Sequence, residues 1–197
     1  MWTAIVGALA IVVSTFFNIR TLKRSRENLE LAERSIEAAE ERARVDRDLA
    51  HQQRLREAIA DVMAQGDHWA VELSLYARML DRYAAAPSEG KSSAEIAHAQ
   101  ATIINYGLTR LRPAGSDLRR VLIVADLLTR NQELLDRLRI VRNAMQRVSA
   151  IISDGSTTKS PDQVIGLSKG LDDLREASNT ARGELYEYAT ERLPKEI

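Results

Sequence analysis

His51, His68 and His98 are the only three imidazoles in the 197 residues, so any metal or acid–base chemistry must be built around them and nearby carboxylates. Glu95-Ile96-Ala97-His98 has the Glu-x-x-His spacing that puts both ligands on one face of a bundle helix in dinuclear metal sites. A complete site of that kind needs a second such pair and two further glutamates. Only Asp48-Leu49-Ala50-His51 comes near. Glu95 has another role open to it, because Ser92-Ser93-Ala94-Glu95 reads as a capping box with Glu95 at N3. His68 and Glu72 stand one helical turn apart and, lacking a third ligand, read as a surface pair. No metal site is expected.

Other chemistries fail on missing parts. Zero cysteines excludes disulfides, thiolate metal sites and cysteine nucleophiles. Neither G-x-x-x-x-G-K-[ST] nor G-x-G-x-x-G occurs, so the nine glycines build no phosphate cradle and no nucleotide cofactor is expected. No G-x-S-x-G elbow offers a serine nucleophile. Arg44, followed after six residues by His51, resembles the loose Arg-x(4-6)-His signature of HEPN-domain ribonucleases, which are also helical bundles. The resemblance covers that one pair and implies catalytic roles for Arg44 and His51. A chain with 23 arginines yields such a spacing by chance, and the pair stands outside any apolar stripe. The expectation is therefore a protein without catalytic activity.

The elements that position these residues begin with an uncharged stretch. From Met1 to Ile19 there is no ionisable side chain, and an α-helix of that length rises roughly 28 Å, close to the ~30 Å hydrocarbon thickness of a bilayer. Nine of the nineteen are Leu, Ile, Phe or Val, so insertion gains roughly 3 to 5 kcal/mol before polar penalties. Arg20, Lys23, Arg24 and Arg26 follow at once, with no acid before Glu27. A cleaved export signal carries its charge on the other side of the apolar run and a small-residue site after it. The pattern predicts a single transmembrane anchor over 1–19, N-terminus outside and the body in the cytoplasm, with the four cations setting topology and meeting lipid head groups.

The remaining chain reads as all-α. Aromatic residues make up 5%, and Ala, Leu, Arg and Glu dominate. Between Gly7 and Gly66 no Gly or Pro interrupts, so the anchor is expected to run on into a charged juxtamembrane helix, 20–54. There Leu22, Leu29, Ile36, Ala43 and Ala50 recur every seven residues, a seam able to support a parallel coiled coil. Glu30 with Arg34 and Glu40 with Arg44 have the favourable i, i+4 order.

An antiparallel helical bundle is expected over 55–197. Leu55, Ile59, Val62, Gly66, Trp69, Leu73, Tyr76, Leu80 and Tyr83 step by three and four. A loop at Pro87, Ser88 and Gly90 precedes the capping box at Ser92, and the helix it starts is expected to stop at Pro113. A third helix is read from Ser116 to about Ser153, its stripe running Val124, Leu127, Asn131, Leu134, Leu138, Val141, Met145, Val148 and Ile152, with Leu118, Leu122, Ala125 and Leu128 widening the face. Asn131 alone breaks that stripe and stands as a candidate polar core position. After a flexible connection, Ser160, Pro161 and Gln163 read as N-cap, N1 and N3 of a last helix ending at Pro194. Small residues at Ser178, Ala181 and Gly183 permit a close approach.

Formal charge cancels at 28 against 28, so no basic field recruits nucleic acid. Arg outnumbers Lys 23 to 5, a bias associated with GC-rich bacterial genomes, and the layout suits small bacterial or prophage membrane proteins. The sequence thus predicts a single-pass inner-membrane protein. Its cytoplasmic bundle binds a protein partner or self-associates, with the lipid bilayer as its other contact. An exported coiled-coil layout similar to the inner-membrane spanins of phage lysis requires the opposite topology.

Overall fold

Strong helix formers over long uninterrupted windows leave the backbone no competing ladder, and the chain is helical wherever an element forms. The computed structural model describes residues 2–153, 160–164 and 166–192, with the side chains of 2–16, 18, 19, 162 and 163 outside the description. The elements are α1 (Trp2–Ala85), α2 (Ser93–Tyr106), a π-helical segment (Gly107–Leu111), α3 (Arg112–Leu128), α4 (Gln132–Ser153), α5 (Pro161–Val164) and α6 (Leu167–Glu191), with no strand among the described residues.

The chain divides into two units, Met1–Ala50 and His51–Ile197. In the first, every described side chain is exposed, including Leu22, Leu29 and Ile36 of the heptad seam. Among the described residues no helix is long and apolar enough to cross a membrane. The structure therefore lends the expected transmembrane span no support. All its side chains but that of Phe17 lie outside the described residues.

The second unit is a helical bundle. Within it α1 buries Leu55, Ile59, Val62, Trp69, Leu73, Tyr76, Leu80 and Tyr83, the expected stripe. Each such side chain contributes about 1.5–3 kcal/mol when taken out of water. Cross-helix contacts give the directions. Trp69 meets Gly115 while Tyr76 meets Gly107, so the π segment and α3 run antiparallel to α1. On α4 and α6, Asn131 bonds Tyr188 and Arg137 bonds Glu184, again in opposite order. An ion pair of Asp126 with Arg142 ties α3 to α4. Leu118, Leu122, Leu138, Leu171 and Leu185 close the core from these helices.

Three helix boundaries differ from the sequence-based expectation. Pro113 does not stop the second helix. It sits in the first turn of α3, and the backbone stays right-handed helical on both sides of the π segment, at Tyr106 (φ −62°, ψ −46°) and Arg112 (φ −65°, ψ −46°). The Arg112 N–H bonds the Gly107 carbonyl, an i to i−5 step. That widened turn lets the pyrrolidine ring pass the carbonyl it would otherwise strike. Gly107 adds room: a Cβ there would lie 3.3 Å from Tyr76 Cε2 and 3.6 Å from Ile152 Cγ2.

The expected single helix over Ser116–Ser153 is two. Thr129 turns to extended backbone (φ −106°, ψ 139°) and closes α3, and α4 starts afresh at Gln132. The register resets at the break, so Leu118, Leu122 and Ala125, expected at the margin of the stripe, are the buried face of α3, while Val124 and Leu127 of the stripe itself are exposed. The last helix is also interrupted. α5 ends at Val164, and Gly166 (φ 86°) takes the left-handed conformation that precedes α6. The connection 154–159, the side chain of Gln163 and Pro194 lie outside the described residues.

Candidate functional site

The most built polar feature of the bundle is Arg182 on α6, whose side chain is only 4% exposed. Its Nη1 donates to Asp67 Oδ1 at 2.6 Å and to the Met63 carbonyl at 3.1 Å, and its Nη2 donates to Asn179 Oδ1 at 2.5 Å. A buried guanidinium is costly unless its donors and charge are matched. Asp67 supplies the charge, and the α1 backbone supplies an acceptor. The space comes from Gly66, where a Cβ would lie 2.4 Å from Arg182 Cδ. The glycine costs α1 about 1 kcal/mol of helix propensity against Ala and lets the Arg182 side chain approach the α1 backbone closely.

Arg182 forms the floor of a groove between α1 and α6 of about 630 Å³, lined also by Asp67, Val71, Leu75, Arg78 and Arg175. Val71 and Leu75 are 58% and 41% exposed; four residues apart on one helix, they present a continuous apolar strip. Arg175 pairs with Asp172 at 3.1 Å. The α1 wall carries Asp67 and Arg78 beside Val71 and Leu75; Arg182 and Arg175 are paired with Asp67 and Asp172, so Arg78 is the lining cation with no carboxylate at ion-pair distance among the described residues.

A second cross-helix polar contact lies elsewhere on α1. The Tyr106 hydroxyl donates to Glu72 Oε2 at 2.5 Å. Burial and the neighbouring Glu72 carboxylate together push the phenol up to about 12. Glu72 therefore serves Tyr106 on α2 rather than the expected partner His68, which is exposed.

The other sequence-predicted residues are placed as follows. Ser92 and Glu95 form the capping box: Ser92 N–H donates to Glu95 Oε2 at 2.8 Å and Glu95 N–H to Ser92 Oγ at 3.4 Å. The Ser92 hydroxyl and amide hold the Glu95 carboxyl below its ordinary range. His51, His68 and His98 are exposed, and among the described residues no three His, Asp or Glu come together as a metal-binding group. Arg44 is exposed and lies 3.9 Å from Glu41 rather than paired with Glu40. Arg20, Lys23, Arg24 and Arg26 are exposed on α1.

Asn131 is not a polar core position. It is exposed and caps α4: its Oδ1 accepts the Leu134 N–H at 3.2 Å, and its Nδ2 donates to the Tyr188 hydroxyl at 2.9 Å. An Asn three residues before Leu134 is an N-cap signal, and the apolar run on both sides hid it.

Sequence reasoning missed Arg182, Asp67, Arg78 and Arg175. The available signals were Gly66, a glycine in the middle of a core stripe, and the small residues Ser178 and Ala181 on the stripe of the last helix, each of which permits a close helix approach. No protein-family model matches the chain, and neither a curated protein nor a solved structure matches it. The fold and groove therefore define a class and no family: an all-α bundle with one arginine-lined, partly apolar groove between two of its helices.

Proposed function

We propose that this protein is a helical interaction module, anchored in a membrane through its first nineteen residues, whose bundle takes the helix of a protein partner into the α1–α6 groove and performs no catalysis. The observation that carries the reading is the groove itself. Val71 and Leu75 leave a strip of apolar surface in water, and Arg78 and Arg175 flank one end of it. Met63 to Arg78 spans roughly 22 Å of α1, the length of about four turns of a docked helix. The matching occupant carries apolar residues at i and i+4 with acidic residues beside Arg78 and Arg175.

The uncharged 1–19 stretch and the cations Arg20, Lys23, Arg24 and Arg26 support the anchor and a cytoplasmic body. The test compares the full chain with a Leu75→Glu/Arg78→Glu variant after chemical crosslinking in intact cells. The reading expects specific crosslinked species that vanish from the variant while its melting temperature holds. Identical species from both proteins would refute it. A C-terminal alkaline phosphatase fusion tests the orientation separately: activity would place the body outside.

A further inference from the structure

The first unit carries a surface that the groove leaves unassigned. Sixteen of the 31 residues 20–50 are charged, yet Leu22, Ser25, Leu29, Ala32, Ile36, Ala39 and Ala43 follow one another by steps of three and four with no charge among them. These positions form one line along α1 with a seven-residue repeat. All are exposed, and Leu22, Leu29 and Ile36 are 64%, 61% and 58% so. The opposite face holds Leu31, Ala38 and Val45 at the same spacing, but its companion positions are Ser35, Arg42 and Leu49. A charge cuts that second line, and the first is continuous.

A strict seven-residue repeat is the period of helices wound about each other. In a parallel, in-register pair every layer meets its own copy: Leu22, Leu29 and Ile36 make three broad layers, and Ser25, Ala32 and Ala39 between them let the backbones approach. The flanks agree over the same length, because Asn28 and Ser35 face Glu33 and Glu40 of the second copy and no like charges oppose each other there. The seam closes after Ala43, where Asp46 takes a core position and Arg42 faces Arg47 of the second copy. Copies anchored in one bilayer by residues 1–19 point the same way with their heptads level, which is the geometry this pairing needs. Three broad layers are a modest interface, and confinement to one membrane raises the effective concentration at which it acts.

We infer that residues 22–43 of α1 pair in parallel and in register with the same residues of a second copy. The inference rests on the anchored reading, which sets the direction and level of the two copies. Each assembly then presents the groove twice, so a partner able to fill both is held more tightly than one that fills a single groove.

The chain has no cysteine, so a single substitution places one thiol at a chosen position. Ala32→Cys and Ala39→Cys lie on the seam and Ala38→Cys on the opposite face, and all three replace an exposed alanine. Each purified full chain is reconstituted at high lipid dilution in phosphatidylcholine vesicles, oxidised briefly with copper phenanthroline and read on a non-reducing gel. With no other protein present, every crosslink joins two copies. The expected result is disulfide dimer from positions 32 and 39 about tenfold faster than from position 38. In a Leu29→Asp/Ile36→Asp background with an unchanged thermal melt, the rate should drop to that of position 38. Equal rates at all three positions, as random collision gives, overturn the inference. So does a dominant crosslink from position 38, or a seam crosslink that survives Leu29→Asp/Ile36→Asp. Flotation of the same vesicles reads the anchor separately. A chain that floats without the preference for 32 and 39 refutes only the seam, and one that keeps the preference without floating refutes only the anchor.

Discussion

Arg182 and Asp67 divide their pair unequally between solvent and interior, and that inequality fixes how each substitution acts. The Arg182 side chain is 4% exposed and that of Asp67 72%. Removing Asp67 strands a buried positive charge, whereas removing Arg182 frees a carboxylate that water already solvates. Asp67→Ala is therefore expected to destabilise the bundle by about 1–3 kcal/mol, more than Arg182→Met, whose apolar chain refills part of the volume. Urea unfolding of the two variants checks the order. Gly66→Ala is a sharper test of the same contact. It gains about 1 kcal/mol of helix propensity yet must push Arg182 off α1, so the net change should be a loss on the order of 1–2 kcal/mol. Tyr106 supplies a pH prediction. Its folded-state value of about 12 lies above the ordinary phenol value of 10.0, so the folded form holds its proton longer. Stability is intact below about pH 10 and falls as pH rises from there toward 12. Thermal melts of the wild type and Tyr106→Phe over that range should differ in slope, the variant being flatter.

At the scale of elements, the well-read parts of the sequence were those with a local cause. The 55–83 stripe of α1 is set by apolar spacing, and the α2 start by a capping box whose two reciprocal bonds are both made. The misread parts were those where two local signals compete. Pro113 is a stop signal, but its position directly after a π turn lets the helix pass it, and no side-chain pattern announces a π turn. Asn131 lies in an apolar run that steps by three and four for nearly thirty residues, and that periodicity outweighed an N-cap signal of one residue. The same competition concealed the groove, because Arg182 is a charged residue at a buried helix position and becomes intelligible only beside Gly66, over a hundred residues earlier. If Asn131 is the cap that separates α3 from α4, Asn131→Ala should cost about 1 kcal/mol, and Asn131→Asp should retain the cap. Ser92→Ala at the start of α2 should cost a similar amount, and chemical denaturation resolves all three.

For the whole molecule, the distribution of surface carries the functional reading. The unit Met1–Ala50 buries none of its described side chains and offers Leu22, Leu29 and Ile36 to solvent at heptad spacing. The unit His51–Ile197 has a buried core and an arginine-lined groove. Its histidines are exposed, and among the described residues no three His, Asp or Glu gather into a metal-binding group. Val71, Leu75, Arg78 and Arg175 come together along one groove, an arrangement that we propose receives a partner's helix. The most direct measurement is site-specific photocrosslinking in intact cells, with the photoreactive residue at position 75 and, as control, at the exposed position 187 of α6. The expected result is a discrete adduct from position 75 alone, abolished by Arg78→Glu/Arg175→Glu. Equal labelling from both positions, or none from position 75, would contradict the interaction role assigned to the groove.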